Sequence, residues 1–128
     1  MKCILLAISA TINLFGCSTN TVVEQAKLLG AENFSKDVWA SANQEQRGKM
    51  IFSFLSQYNP ETLTINIVKS HLGPPTGYYD YEVDPAYFVG PKSVKSEYGN
   101  GYLLAFISDK NTGKIISVKI TPEPKKSN

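Results

Sequence analysis

The chain has 128 residues, with 13 Lys and Arg against 11 Asp and Glu, a formal charge of +2. That is one domain's worth of sequence, enough for a single core of modest size. A balance so close to neutral, with no basic stripe, excludes a nucleic-acid-binding surface.

The N-terminus sets the address. Lys2 begins a short positive region, and residues 4–15 form a mostly apolar run interrupted by Ser9, Thr11 and Asn13. As a helix rising about 1.5 Å per residue, this run reaches roughly 18 Å, well short of a hydrocarbon core of about 30 Å. It reads as a signal-peptide core, not a membrane span. The run ends at Leu14-Phe15-Gly16-Cys17, followed by the polar Ser18-Thr19-Asn20-Thr21. Leu14, Gly16 and Cys17 resemble the lipobox of bacterial lipoproteins. That resemblance implies cleavage between Gly16 and Cys17 and acylation of Cys17. Multiple acyl chains on one residue hold a protein firmly, where a single chain holds it only marginally. Ser18 after the Cys, in place of Asp, implies an outer-membrane destination with the domain facing the periplasm. Residues 1–16 are then a signal peptide and 17–40 a lipidated Cys, tether and N-terminal arm. A domain spans 41–121, and 122–128 is a frayed tail. Cys3 leaves with the signal and Cys17 is acylated, so the mature domain has no thiol for a disulfide.

Within residues 22–29, Val22, Ala26 and Leu29 have loosely helical spacing before Gly30; a short helix or an apolar arm fits equally. Phe34 and Trp39 read as packing anchors. Ser41 followed by Gln44 fits a capping box. Met50, Ile51, Phe54, Leu55 and Tyr58 then recur at three and four, the apolar face of a helix ended by Asn59-Pro60. Gly48 inside that helix points to something packed closely against it. Residues 63–75 read as a second helix, with Thr64 as N-cap and Ile65, Val68 and Leu72 on one side. Gly73 and Pro74-Pro75 form its stop. His71, the single histidine, lies in its last turn, where a cation meets the negative end of the helix dipole.

From Tyr78 the period changes to two. Tyr79, Tyr81 and Val83 alternate with Tyr78, Asp80, Glu82 and Asp84, which predicts a strand with one apolar and one acidic face. Residues 86–89 form a second strand and 92–101 a mobile loop containing Tyr98. Residues 102–107 form a third strand, with Tyr102, Leu104 and Phe106 inward. A turn over 108–113 leads to a last strand, with Ile116, Val118 and Ile120 inward. The fold class is α+β: two N-terminal helices packed on one face of a three- to four-stranded antiparallel sheet whose other face is wet.

The helix ending Leu63-Thr64, Val68, Leu72-Gly73-Pro74 resembles that of small outer-membrane lipoproteins of the BamE/SmpA/OmlA type. Leu104, Phe106, the Gly-containing turn and Ile116 extend the likeness to the final hairpin. The β-lactamase-inhibitor proteins resemble a doubled version of this unit. Trp39, Arg47-Gly48-Lys49-Met50 and Tyr87-Phe88-Val89-Gly90 look closer to uncharacterised small bacterial proteins of this kind. The resemblance implies a lipid-anchored accessory to outer-membrane assembly or envelope integrity, with no cofactor. The alternative is a periplasmic inhibitor or immunity-type lipoprotein that neutralises a toxin or hydrolase.

Catalytic chemistry has few starting points. Asp80-x-Glu82-x-Asp84 lacks the Gly and the distal Glu of a calcium loop, with Pro85 and Pro91 in those places. One histidine and no spare cysteine exclude the usual zinc sets. No nucleophile elbow or phosphate-binding glycine loop is present. Binding of a protein partner remains, with Tyr78, Asp80, Glu82 and Tyr98 as the candidate contacts.

Overall fold

Three of the α-helices start where a side chain accepts a backbone N–H that has no partner in the first turn. The structure, a computed structural model, describes residues 21–126; Gly16 and Cys17 lie outside the described residues. Helix α1 (Thr21–Lys27) is followed by α2 (Lys36–Ser41), whose N-cap Ser35 accepts from Val38 N. Helix α3 (Gln44–Gly48) opens with a reciprocal box: Asn43 Oδ1 accepts from Gln46 N at 2.8 Å, and Gln46 Oε1 accepts from Asn43 N at 3.0 Å. Helix α4 (Ile51–Gln57) leads into a 3₁₀ turn (Pro60–Thr62), then α5 (Ile65–Leu72). Thr64 caps α5 as expected, and Gly73 ends it at φ +77°.

The expected cap at Ser41 is displaced. Ser41 ends α2, its hydroxyl donating back to Asp37 O and Val38 O, and the box sits two residues later at Asn43 and Gln46. The single helix expected after it is two, α3 and α4, with Lys49 and Met50 between them.

Three strands form the main sheet: β1 (Ala86–Val89), β4 (Tyr102–Ser108) and β5 (Ile115–Thr121), antiparallel in the order β1-β4-β5. A small hairpin, β2 (Lys95–Ser96) with β3 (Gly99–Asn100), replaces the mobile loop expected at 92–101. Tyr87 pairs with Leu104 and Phe106 with Val118, which places these on one sheet face. That face meets the helices in one buried cluster that includes Phe34, Trp39, Ile51, Phe54, Val68, Tyr87, Leu104 and Phe106. Ala26 of α1 belongs to the same cluster, so the stretch expected as an arm contributes Ala26, Phe34 and Trp39 to the core. Pro124, in the stretch expected to fray, is buried.

The close approach foreseen at Gly48 is backbone to backbone. A Cβ there would lie 2.8 Å from Gly90 N and 2.9 Å from Gly90 Cα. Gln44 O accepts from Gly90 N at 2.8 Å, and Gln44 Nε2 donates to Gly90 O and Asn100 O. Gly48 thus lets α3 dock on the end of β1, while a Cβ at Gly90 would instead meet the Tyr102 ring.

Three expectations about the sheet are corrected. Residues 78–84 form no strand. Thr76 N and Gly77 N both donate to Ala86 O, and Thr76 Oγ1 accepts from Phe88 N, which occupies the β1 edge before Tyr78 is reached. The chain then turns, with Asp84 N on Tyr81 O. Second, the far sheet face is not wet over β1 and β4. Ala86, Leu103 and Ala105 are fully buried under Tyr79, Phe88 and Tyr98. Third, Ile116 is 65 % exposed, because an irregularity at Ile107/Ser108 pairs Ser108 with Ile115 and turns Ile115 inward in its place.

Candidate functional site

The segment between Gly77 and Pro85 is a loop mounted at three points. Tyr79 lies at its root, its ring centroid 5.5 Å from that of Tyr98, and both rings pack on the Ala86–Leu103–Ala105 cluster. Asp84 holds its far end. One carboxylate oxygen, Oδ1, accepts from Ser108 N at 2.9 Å, Ser108 Oγ at 2.7 Å and Lys110 Nζ at 2.9 Å. Lys110 Nζ also donates to Ser108 O and sits 4.7 Å above the Tyr81 ring, a cation–π contact that fixes the middle of the loop. Burial alone pushes the Asp84 carboxyl up, but the hydrogen bonds from Ser108 and Lys110 outweigh it and hold the pKa below the usual carboxylate value.

What the mount leaves outside is a row of side chains. Tyr78 is 63 % exposed, Tyr81 60 % and Val83 50 %, with Asp80 and Glu82 exposed among them. Glu97, on the turn of the β2–β3 hairpin, is exposed as well. Partial burial, then Glu97, Tyr79 and Asp80, push the Tyr98 phenol above its ordinary value, which places Asp80 and Glu97 near the same ring. The result is an acidic, aromatic surface on a braced loop.

Of the four predicted contacts, Tyr78, Asp80 and Glu82 are brought together in this loop. Tyr98 is partly exposed, its ring packed against Tyr79 and the Ala86–Leu103–Ala105 cluster. Asp84, expected beside Asp80 and Glu82 on a solvated face, is 2 % exposed and structural. Tyr81 and Val83, expected inward, face solvent. Nothing local in sequence signals this reversal, since the Asp84–Lys110 clamp joins positions 26 residues apart.

His71 Nδ1 lies 2.9 Å from Ile67 O and 3.2 Å from Ser70 Oγ. A carbonyl only accepts, so Nδ1 carries the proton and cannot take one from Ser70. The His71 ring packs at 4.5 Å on Tyr58. Among the described residues no group of His, Cys, Asp and Glu is arranged to hold a metal ion. No described helix is long and apolar enough to cross a membrane.

No family model, no curated protein and no solved structure matches this chain.

Proposed function

We propose that this chain is a lipid-anchored envelope protein, attached through Cys17 to the outer membrane and facing the periplasm. It binds a protein partner without chemistry, as an accessory to outer-membrane assembly or envelope integrity. The observation that supports this reading is the braced loop, with Tyr78, Tyr81 and Val83 exposed around Asp80 and Glu82. Large exposed apolar side chains on a rigid mount lose little entropy on docking, and Tyr is a common anchor of interfaces. The acids select a basic partner and accelerate encounter. The same projecting acidic loop also suits insertion into a basic cleft, which favours the inhibitor or immunity-type role as the second reading.

In-cell photocrosslinking tests both halves of the proposal. A benzophenone side chain at position 78 or 81 should yield one shared protein adduct, and the same group at Val38, 53 % exposed on α2, should not. Replacing Cys17 with Ser should move the protein from the membrane to the soluble fraction. Adducts from position 38 alone would put the interface on the helical side. A Cys17→Ser protein that stayed wholly with the membrane would refute the lipid anchor.

A further inference from the structure

At the C-terminal end of α5 lies a pocket of about 410 Å³, whose lining includes Lys36, Trp39, Arg47, His71, Pro74 and Pro75. That volume is in the range of small-ligand sites. Arg47 is the unusual member. Its Nε donates to Trp39 O at 2.9 Å, and its guanidinium carbon lies 4.7 Å over the Trp39 ring. Among the described residues nothing receives its four remaining N–H groups, and no carboxylate is within ion-pair distance. Burial lowers its pKa, yet a guanidinium remains charged in proteins. A partly buried cation without a counter-charge is costly to keep, whereas the other charge drawn into this fold, Asp84, is fully paired.

We propose that this pocket binds a small organic carboxylate with an apolar body, the carboxylate on Arg47 and Lys36 and the body against Pro74 and Pro75. The guanidinium fork matches a carboxylate with two parallel hydrogen bonds. Lys36 supplies a second positive charge, and no acidic residue lines the pocket. The local backbone selects a singly charged group over a phosphate. α5 presents its C-terminal, negative end here, with none of the free amides that cradle phosphate at an N-terminus. Two of its terminal carbonyls are already occupied: Leu72 O accepts from Trp39 Nε1 at 2.8 Å and Gly73 O from Tyr87 Oη at 2.8 Å. That occupation blunts the repulsion a carboxylate would meet.

The chain contains one Trp, and it lies beneath Arg47, so its emission and its indole N–H resonance report directly on the pocket. Phenylacetate, acetate and phenylacetamide separate the charged group from the apolar body. Phenylacetate should perturb both signals saturably and bind at least about tenfold tighter than either fragment, the factor that one charge-assisted hydrogen bond supplies. Arg47→Gln should weaken it by about tenfold. Arg47 also holds the end of α2, so Lys36→Glu, on an exposed side chain, carries the same test without touching the core. It too should cost about tenfold, with an unchanged circular dichroism spectrum. The proposal fails if phenylacetate gives no saturable change at millimolar concentration. Equal binding of phenylacetamide, or indifference to Lys36→Glu, also overturns it.

Discussion

Replacing Phe106 with Ala should destabilise the domain by about 3–5 kcal/mol. The ring is fully buried on the helix-facing side of β4. It meets Phe54 and Tyr87 nearly edge-on, at centroid distances of 6.1 and 6.3 Å. Removing it takes away the packing that joins α4 to β1 through the sheet, and the backbone pairs on either side restrict collapse into the gap. Domains of this kind are stable by only about 5–15 kcal/mol in all, so the loss is severe. At about 4–8 °C per kcal/mol, the melting temperature should fall by more than 10 °C. A Phe106→Ala protein melting within a degree or two of the parent would mean that the ring does not join sheet to helices.

Asp84→Ala should cost about 2–3 kcal/mol at neutral pH, through a different mechanism. The lost carboxylate strands the buried Ser108 N–H and hydroxyl, and an unsatisfied buried donor costs about 1–3 kcal/mol. The ion pair adds less, because the Lys110 side chain is 40 % exposed and recovers water. The acid dependence has a definite sign. The folded pKa of Asp84 lies below the ordinary value of about 3.9. Its stabilisation is therefore fully present above that ordinary value and lost as pH falls through the folded pKa. Urea unfolding of parent and variant should differ most at pH 7 and converge below about pH 4. Equal stability at pH 7, or a gap that widens in acid, would rule out the clamp.

Locally encoded parts of the fold were legible. α5 carries its own cap at Thr64, its apolar positions and its Gly73-Pro74-Pro75 stop, and it forms over the expected residues. β4 and β5 form at the expected places on either side of the turn at 108–113, although the irregularity at Ile107/Ser108 turns Ile115 inward in place of Ile116. What depended on distant partners was not legible. The 78–84 alternation is real, but a strand needs a free edge, and Thr76 and Gly77 had already taken that of β1. The covered sheet face did leave a signal. Leu103, Ala105 and Phe88 make β1 and β4 apolar on both sides, the pattern of strands with no wet face. At the candidate site, Tyr78, Asp80 and Glu82 were legible as polar or aromatic positions beside a Pro-bounded turn. Tyr81 and Val83, expected inward, face outward because Lys110 and Asp84, far apart in sequence, decide which way the loop faces.

The partner-binding claim rests on charge and exposure in one loop, so charge reversal at Asp80 and Glu82 addresses it most directly. Both side chains are exposed and neither makes a hydrogen bond or ion pair among the described residues. Changing both to Lys should therefore leave the melting temperature intact. The measurement is the association rate with the crosslinked partner, taken by surface plasmon resonance across a range of ionic strength. Rim charges act mainly on encounter. The double variant should associate about tenfold more slowly at low salt, with a flatter salt dependence and a nearly unchanged dissociation rate. Association rates and salt slopes identical to the parent, with binding intact, would place the interface away from this loop.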